Sequence, residues 1–177
     1  VIDTAAGGRT TFKNAGRTRR SGLEASWQAA LPGNFDAHLA YTALDARYAE
    51  AFTSGAAAIA VPEGNRLPGV PRSSLYAELQ WRHFASGFSA VIEARHNSRV
   101  FVDDQNSDAA AAYTIANLRL GFEQRTRVWR ITETLRIDNL TARTYIGSVI
   151  VADGNGRFFE PAPRRNLSIL ISARLAF

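Results

Sequence analysis

A chain of 177 residues is long enough for one domain with a sizeable buried surface, and without cysteine it has neither a disulfide framework nor a thiolate metal site. Its net charge of +5 is carried by arginines scattered along the chain, Lys13 apart, with no basic helix or cluster, so nucleic-acid binding is not expected. Hydrophobic residues make up 46% of the chain, yet no run approaches the ~18 apolar residues that a membrane-spanning helix needs, which excludes a helical membrane protein but not a transmembrane β-barrel, whose strands alternate.

The chain opens Val1-Ile2-Asp3 with no apolar leader and reads as a mature fragment, with the end of one further strand at Val1-Ile2. Beyond it, separating odd from even positions reveals period-2 segments, the signature of strands. In Ser21–Leu31 the apolar set Leu23, Ala25, Trp27, Ala29 and Leu31 alternates with Glu24, Ser26 and Gln28. Phe35–Ala43 sets Phe35, Ala37, Leu39 and Tyr41 against Asp36, His38 and Thr42. Ser74–Arg82 sets Leu75, Ala77, Leu79 and Trp81 against Tyr76, Glu78, Gln80 and Arg82. Phe88–Val102 places Phe88, Ala90, Ile92 and Ala94 opposite Glu93, Arg95, Asn97 and Arg99. Tyr113–Gln124, Val128–Leu140 and Asn166–Phe177 follow the same rule, which makes seven strands. Glu133 breaks it, falling in the apolar register of Val128–Leu140, where a bulge or a neighbouring arginine is expected to accommodate it.

The connections alternate in length. Short ones fall at Pro32-Gly33-Asn34, Ala85-Ser86-Gly87 and Arg125–Arg127, and long ones over roughly Asp45–Arg72, Asp103–Ala112 and Thr141–Arg165. Tight turns at one end and long loops at the other are the layout of an up-and-down outer-membrane barrel, with the loops outside. The expected fold is all-β and antiparallel, about seven strands of a larger barrel. Alternation by itself leaves a soluble β-sandwich or lipocalin-like ligand-binding module open, because its apolar face could meet a core in place of lipid.

Little in the sequence suggests bond chemistry. His38, His83 and His96 lie on different strands with no metal-ligand spacing, and Gly147-Ser148 lacks the G-x-S-x-G frame of a nucleophile elbow. Asp103-Asp104-Gln105-Asn106-Ser107-Asp108 is acidic but lacks the central glycine and final glutamate of an EF-hand loop, so a solvated loop is expected. Gly154-Asn155-Gly156 is a turn signal. No enzyme activity and no cofactor are expected. Trp27, Trp81, Trp129, Phe35, Phe88 and Phe122 are placed beside the short turns, where they suit an aromatic girdle or equally an ordinary core.

Several ordered stretches resemble the TonB-dependent receptors of the outer membrane. Asn14-Ala15-Gly16-Arg17-Thr18-Arg19-Arg20-Ser21-Gly22-Leu23-Glu24 is similar to the family's NAGxTRxxGxE segment, and Gly64-Asn65-Arg66-Leu67-Pro68-Gly69-Val70-Pro71-Arg72 to its GxxLPGVPR run. Ile137-Asp138-Asn139-Leu140 resembles its V-x-NL element, while Tyr145-Ile146-Gly147-Ser148-Val149 and Gly156-Arg157-Phe158-Phe159-Glu160-Pro161-Ala162-Pro163-Arg164-Arg165-Asn166 resemble segments ahead of the last strand. Arg165, where the family often has glycine, and Thr141-Ala142-Arg143 after the Asn-Leu pair are departures.

The resemblance implies a receptor and transporter wall, residues 1–177 being the C-terminal part of a barrel of about 22 strands whose plug domain and earlier strands lie outside the chain. It implies location in the outer membrane against lipid, uptake of a scarce nutrient such as a ferric siderophore, and energy from the TonB complex through the plug. It also implies recognition of the terminal aromatic Phe177 by the barrel-assembly machinery. A passive porin-like barrel is the alternative. Arg99, Phe101, Tyr113, Arg143, Tyr145, Arg157 and Phe158 stand near loop ends and are the expected ligand-binding residues, since arginine pairs with carboxylates and aromatic rings stack on planar ligands. A barrel cut into a segment bares two strand edges, so self-association through them is expected.

Overall fold

The computed structural model describes residues 16–54 and 58–175 in full, with the backbone of 2–4 and 10–12. Seven long strands form one antiparallel sheet: β1 (Thr18–Leu31), β2 (Phe35–Tyr48), β3 (Ser73–His83), β4 (Phe88–Asn97), β5 (Tyr113–Arg125), β6 (Trp129–Asp138) and β7 (Asn166–Leu175). Each pairs with its neighbour in the chain, so β1 and β7 are the edges of a meander with no crossover. Two-stranded hairpins pair Phe52–Ser54 with Ile59–Val61, Val100–Phe101 with Ala109–Ala110, and Ile146–Val149 with Phe159–Pro161, one in each long loop. Another joins Ile2–Thr4 to Thr10–Phe12, outside the main sheet.

The register explains the alternation. Paired residues share a face, and one row across six strands reads Ala37, Leu79, Ile92, Leu118, Ile137 and Leu167. The matching row on the other face includes His38, Glu78, Glu93 and Asn117. Among the described residues nothing packs over the apolar face: Ile92 is 49% exposed, Leu167 60% and Ile171 67%. A sandwich or a lipocalin-like module would bury those side chains against a second layer or a closed interior. Here the buried apolar residues are few, and Tyr48, Val61, Val102 and Ala110 belong to the loop end of the molecule. The outward apolar run of β2, from Phe35 to Ala43, measures about 26 Å at ~3.3 Å per residue. Tilted by the ~35–45° usual in outer-membrane barrels, it spans roughly 19–22 Å, most of the ~25 Å apolar band of such walls.

The turns carry the local chemistry of tight hairpins. Gly33 and Asn34 are both left-handed (φ 79 and 64), a conformation that glycine and asparagine adopt at least cost. Phe35, Trp81 and Phe88 gather at this end on the outward face, with ring centroids 6.4 and 6.0 Å apart, and Phe122 pairs with Phe88. Trp27 is a correction. It pairs with Leu39 in the middle of the apolar band, because β1 continues four residues beyond it before turning.

Other boundaries also moved. β2 runs on to Tyr48, past Ala43, because the returning loop segment supplies hydrogen-bond partners: Tyr48 N–H donates to the Asn65 carbonyl at 2.9 Å and Leu67 N–H to that of Ala46 at 3.0 Å. β4 stops at Asn97, and Val100–Phe101 leaves the wall to pair within its own loop. Phe177 lies outside the described residues.

Glu133 sits on the outward face opposite Phe122 and Ile171 with the ladder unbroken, so no bulge accommodates it, and among the described residues no arginine pairs with it. Instead the Gln124 amide, on the same face of β5 and near the short-turn end, donates to its carboxylate at 3.3 Å. Near the membrane boundary such a charge costs little, so Glu133→Leu should stabilise the folded barrel by no more than about 1 kcal/mol, as read by urea unfolding in vesicles.

Candidate functional site

The long loops form one packed cap at the upper end of the wall. The acidic stretch of the second loop, expected to be solvated, proves to be its clasp. Asp104 is buried, accepting the Tyr48 hydroxyl at 2.6 Å and the Ser54 hydroxyl at 2.9 Å, while its backbone carbonyl accepts the Asn65 amide at 3.0 Å. Burial and the Asp104 carboxylate together push the Tyr48 hydroxyl well above its ordinary pKa, so it remains a donor. Asn106, left-handed at φ 58, exchanges hydrogen bonds with the backbone of Arg66 at 2.8 and 2.9 Å. A buried carboxylate needs such partners, and they tie the first loop to the second. Among the described residues no group of histidines and carboxylates could hold a metal.

The third loop hangs on Asn139, which is buried and left-handed (φ 52). Its N–H donates to Asn117 Oδ1 at 2.9 Å, its Oδ1 accepts Arg143 N–H at 3.0 Å, and its Nδ2 donates to the Arg143 carbonyl at 2.8 Å. This anchoring delivers Tyr145 onto Tyr113, with ring centroids 4.4 Å apart. Burial, then Tyr113, raises the Tyr145 pKa, while the nearby Arg95 acts the other way.

Below this pair the inner face carries a polar network. Glu93 is buried, accepts the Asn117 amide at 3.2 Å, and lies 3.7 Å from Arg136 and 3.9 Å from Arg95. The Arg95 guanidinium sits over the Tyr76 ring at 5.6 Å, and the Tyr76 hydroxyl donates to Glu78 at 2.7 Å. The carboxylate neutralises part of the local charge, so Arg95 is held in place with more than half of its side chain open to solvent. A cleft of about 390 Å³ opens beside Tyr113, between Pro71, Asn97, Val100 and Ile146. A larger hollow, about 710 Å³, lies at the far end by Arg82, Phe88 and Arg125, away from the loops.

Of the expected ligand residues, Tyr113, Tyr145 and Arg143 come together, with the Arg143 guanidinium reaching the Ala112 carbonyl at 3.4 Å. Arg99 is exposed above β4. Phe101 is half-buried between loops, its carbonyl accepting Gly69 N–H at 2.9 Å. Arg157 and Phe158 lie in the outer part of the third loop, Phe158 beside Phe159 at 6.3 Å. The sequence placed Arg95 and Tyr76 only among the polar-face residues of two strands. Their place on the polar register of adjacent strands was the available signal, but register between strands is needed to see that they meet.

The family model described as TonB dependent receptor-like, beta-barrel matches residues 1–140. The chain belongs to this family. Its members are transporters of the outer membrane, and the wall described above is a TonB-dependent receptor wall. Solved receptors share its fold. The siderophore receptor PiuA from Acinetobacter baumannii is 15% identical with a TM-score of 0.76, over 99% of this chain and 24% of that one. BauA, the ferric preacinetobactin receptor from Acinetobacter baumannii, is 16% identical with a TM-score of 0.71, over 98% and 25%. The ferric yersiniabactin uptake receptor FyuA from Yersinia pestis is 20% identical with a TM-score of 0.67, over 93% and 24%. The chain thus spans about a quarter of the length of the receptors it matches. Within the receptor barrel, the Asn-Leu element acquires a physical role as the knot that fastens the third loop.

Proposed function

We propose that this chain supplies the C-terminal part of the wall, over residues 1–177, of an outer-membrane receptor that imports a scarce nutrient, an anionic ferric chelate of the siderophore type. The observation that carries the reading is an uncovered apolar face backed by a polar wall on which Arg95, Tyr76 and Tyr113 stand, with Tyr145 of the third loop laid against Tyr113. A guanidinium held by a buried carboxylate pairs with ligand oxygens, and the tyrosine pair offers rings to a planar catecholate or phenolate. The plug, and through it the TonB complex, belongs to the rest of the receptor, as do the strands that cover the β1 and β7 edges. Isolated, those edges would pair with another copy. Phe177 would serve as the terminal signal for barrel assembly.

The test is ligand titration on the whole receptor. Removing a charge-assisted hydrogen bond costs about 1.5–3 kcal/mol, so Arg95→Ala with Tyr145→Ala should weaken binding of a ferric catecholate at least ~tenfold. Unchanged affinity in that double variant, with the barrel folded, would remove these residues from the site.

A further inference from the structure

Above the apolar band the outward face of the wall turns cationic. The apolar rows of β1 and β2 end with Leu23 and Ala43, and the next paired rows are Ser21 with Asp45, then Arg19 with Arg47. The returning segment of the first loop adds an antiparallel bridge from Arg47 to Arg66, which carries the same row one position further. Arg19, Arg47 and Arg66 therefore stand in one row on the same face of the sheet. Among the described residues Arg47 and Arg66 share one carboxylate: Asp45 accepts Arg47 Nε at 2.9 and 3.0 Å and the Arg66 guanidinium at 2.8 Å, while Arg47 Nη1 also donates to the Gly64 carbonyl at 2.9 Å. Arg17, the next outward position, has its own partner in Glu50 at 3.4 Å, so the excess of positive charge is confined to one row.

Facing like charges across a ladder is unfavourable. Arg19 and Arg47 nevertheless face each other, and both reach the surface, whereas the Arg66 side chain is only 16% exposed and backs Asp45 from behind. We propose that Arg19 and Arg47, backed by Arg66, dock the phosphate-bearing headgroup of a lipid in the outer leaflet. Three observations meet here. The row lies at the first level past the lipid-facing band, where headgroups sit. Guanidinium forks match phosphate oxygens, which relieves the repulsion between Arg19 and Arg47. Leu23 and Tyr41, exposed just below on the same face, offer apolar contact to the acyl chains of the same lipid. Arg66 also belongs to the loop segment clasped to Asn106, so a bound headgroup would brace the base of the first loop.

This inference rests on the membrane-barrel reading, and the experiment separates the two. The whole receptor is placed in phosphatidylcholine nanodiscs doped with diphosphorylated lipid A or with its dephosphorylated form, and retained lipid is measured by native mass spectrometry. Selective retention of the phosphorylated form is expected. At roughly 1 kcal/mol per arginine near an anionic surface, Arg19→Gln should lower that retention about fivefold, with a further drop on adding Arg47→Gln. Arg19→Lys should keep most of it, and Asp45→Asn, which removes the shared carboxylate, should raise it. Equal retention of both lipids, equal retention by Arg19→Gln and the parent, or displacement of the lipid by excess inorganic phosphate would overturn the proposal while leaving the barrel reading intact. Failure of the parent receptor to enter the bilayer would overturn that reading itself.

Discussion

Replacing Ile92 by arginine in the receptor that contains this chain is expected to destabilise the folded barrel by about 2–4 kcal/mol, the cost of a cation at the bilayer midplane on a lipid-facing wall. Ile92 is the middle residue of the outward run from Phe88 to His96 in β4 and is half exposed with no protein over it. The matched control is Val91→Arg or Gln80→Arg, one register step away on the inner face, where Arg119 and Thr134 already make the wall polar. Val91 is buried, so its replacement costs packing, but Gln80 should accept arginine with little change. Reversible urea unfolding in lipid vesicles gives both numbers. If Ile92→Arg proves as well tolerated as Gln80→Arg, the apolar face does not meet hydrocarbon. A soluble sheet fails the test from the other direction, because a half-exposed isoleucine facing water accepts arginine at almost no cost.

The second large effect is expected at Asn139. Asn139→Ala removes the acceptor of Arg143 N–H and the donor to the Arg143 carbonyl, and it places alanine at φ 52. Stranded polar groups in this part-buried knot cost about 1 kcal/mol each and a left-handed alanine about 1–2, so a loss of roughly 3 kcal/mol is expected, confined to the third loop. Hydrogen exchange across residues 139–165 should rise with β1–β5 unchanged. Because this knot sets the Tyr113–Tyr145 pair, chelate binding should weaken as well. Asn139→Gly separates the two causes: it restores the backbone freedom, recovers about 1 kcal/mol, and leaves the hydrogen bonds missing. Exchange in Asn139→Ala that matches the parent would mean that the third loop is held by other contacts.

The loop cap shows why such residues resist reading from sequence. Asp104 belongs to a run of acidic and amide side chains whose composition matches a solvated loop, and only the approach of Tyr48 and Ser54, some fifty positions earlier, turns its carboxylate into a buried acceptor. Arg95 and Tyr76 were visible as polar-face residues, yet their contact depends on which positions of β3 and β4 lie opposite each other. Glu133 likewise looked like an error of register until Gln124 on the neighbouring strand supplied its donor.

The amino-acid order by itself determined the period of two, the strand count and the alternation of tight turns with long loops, because each depends on neighbours within a few positions along one strand. It also carried the family signature, since runs such as Gly64–Arg72 keep their residues wherever the chain is folded. The tertiary structure decided the direction of the apolar face, the upward extension of β2 and the departure of Val100–Phe101 from β4. It alone assembled the arginine row, the Asp104 clasp and the tyrosine pair. These depend on contacts between residues distant in the chain, and a local pattern holds no record of which distant hydrogen-bond partner arrives.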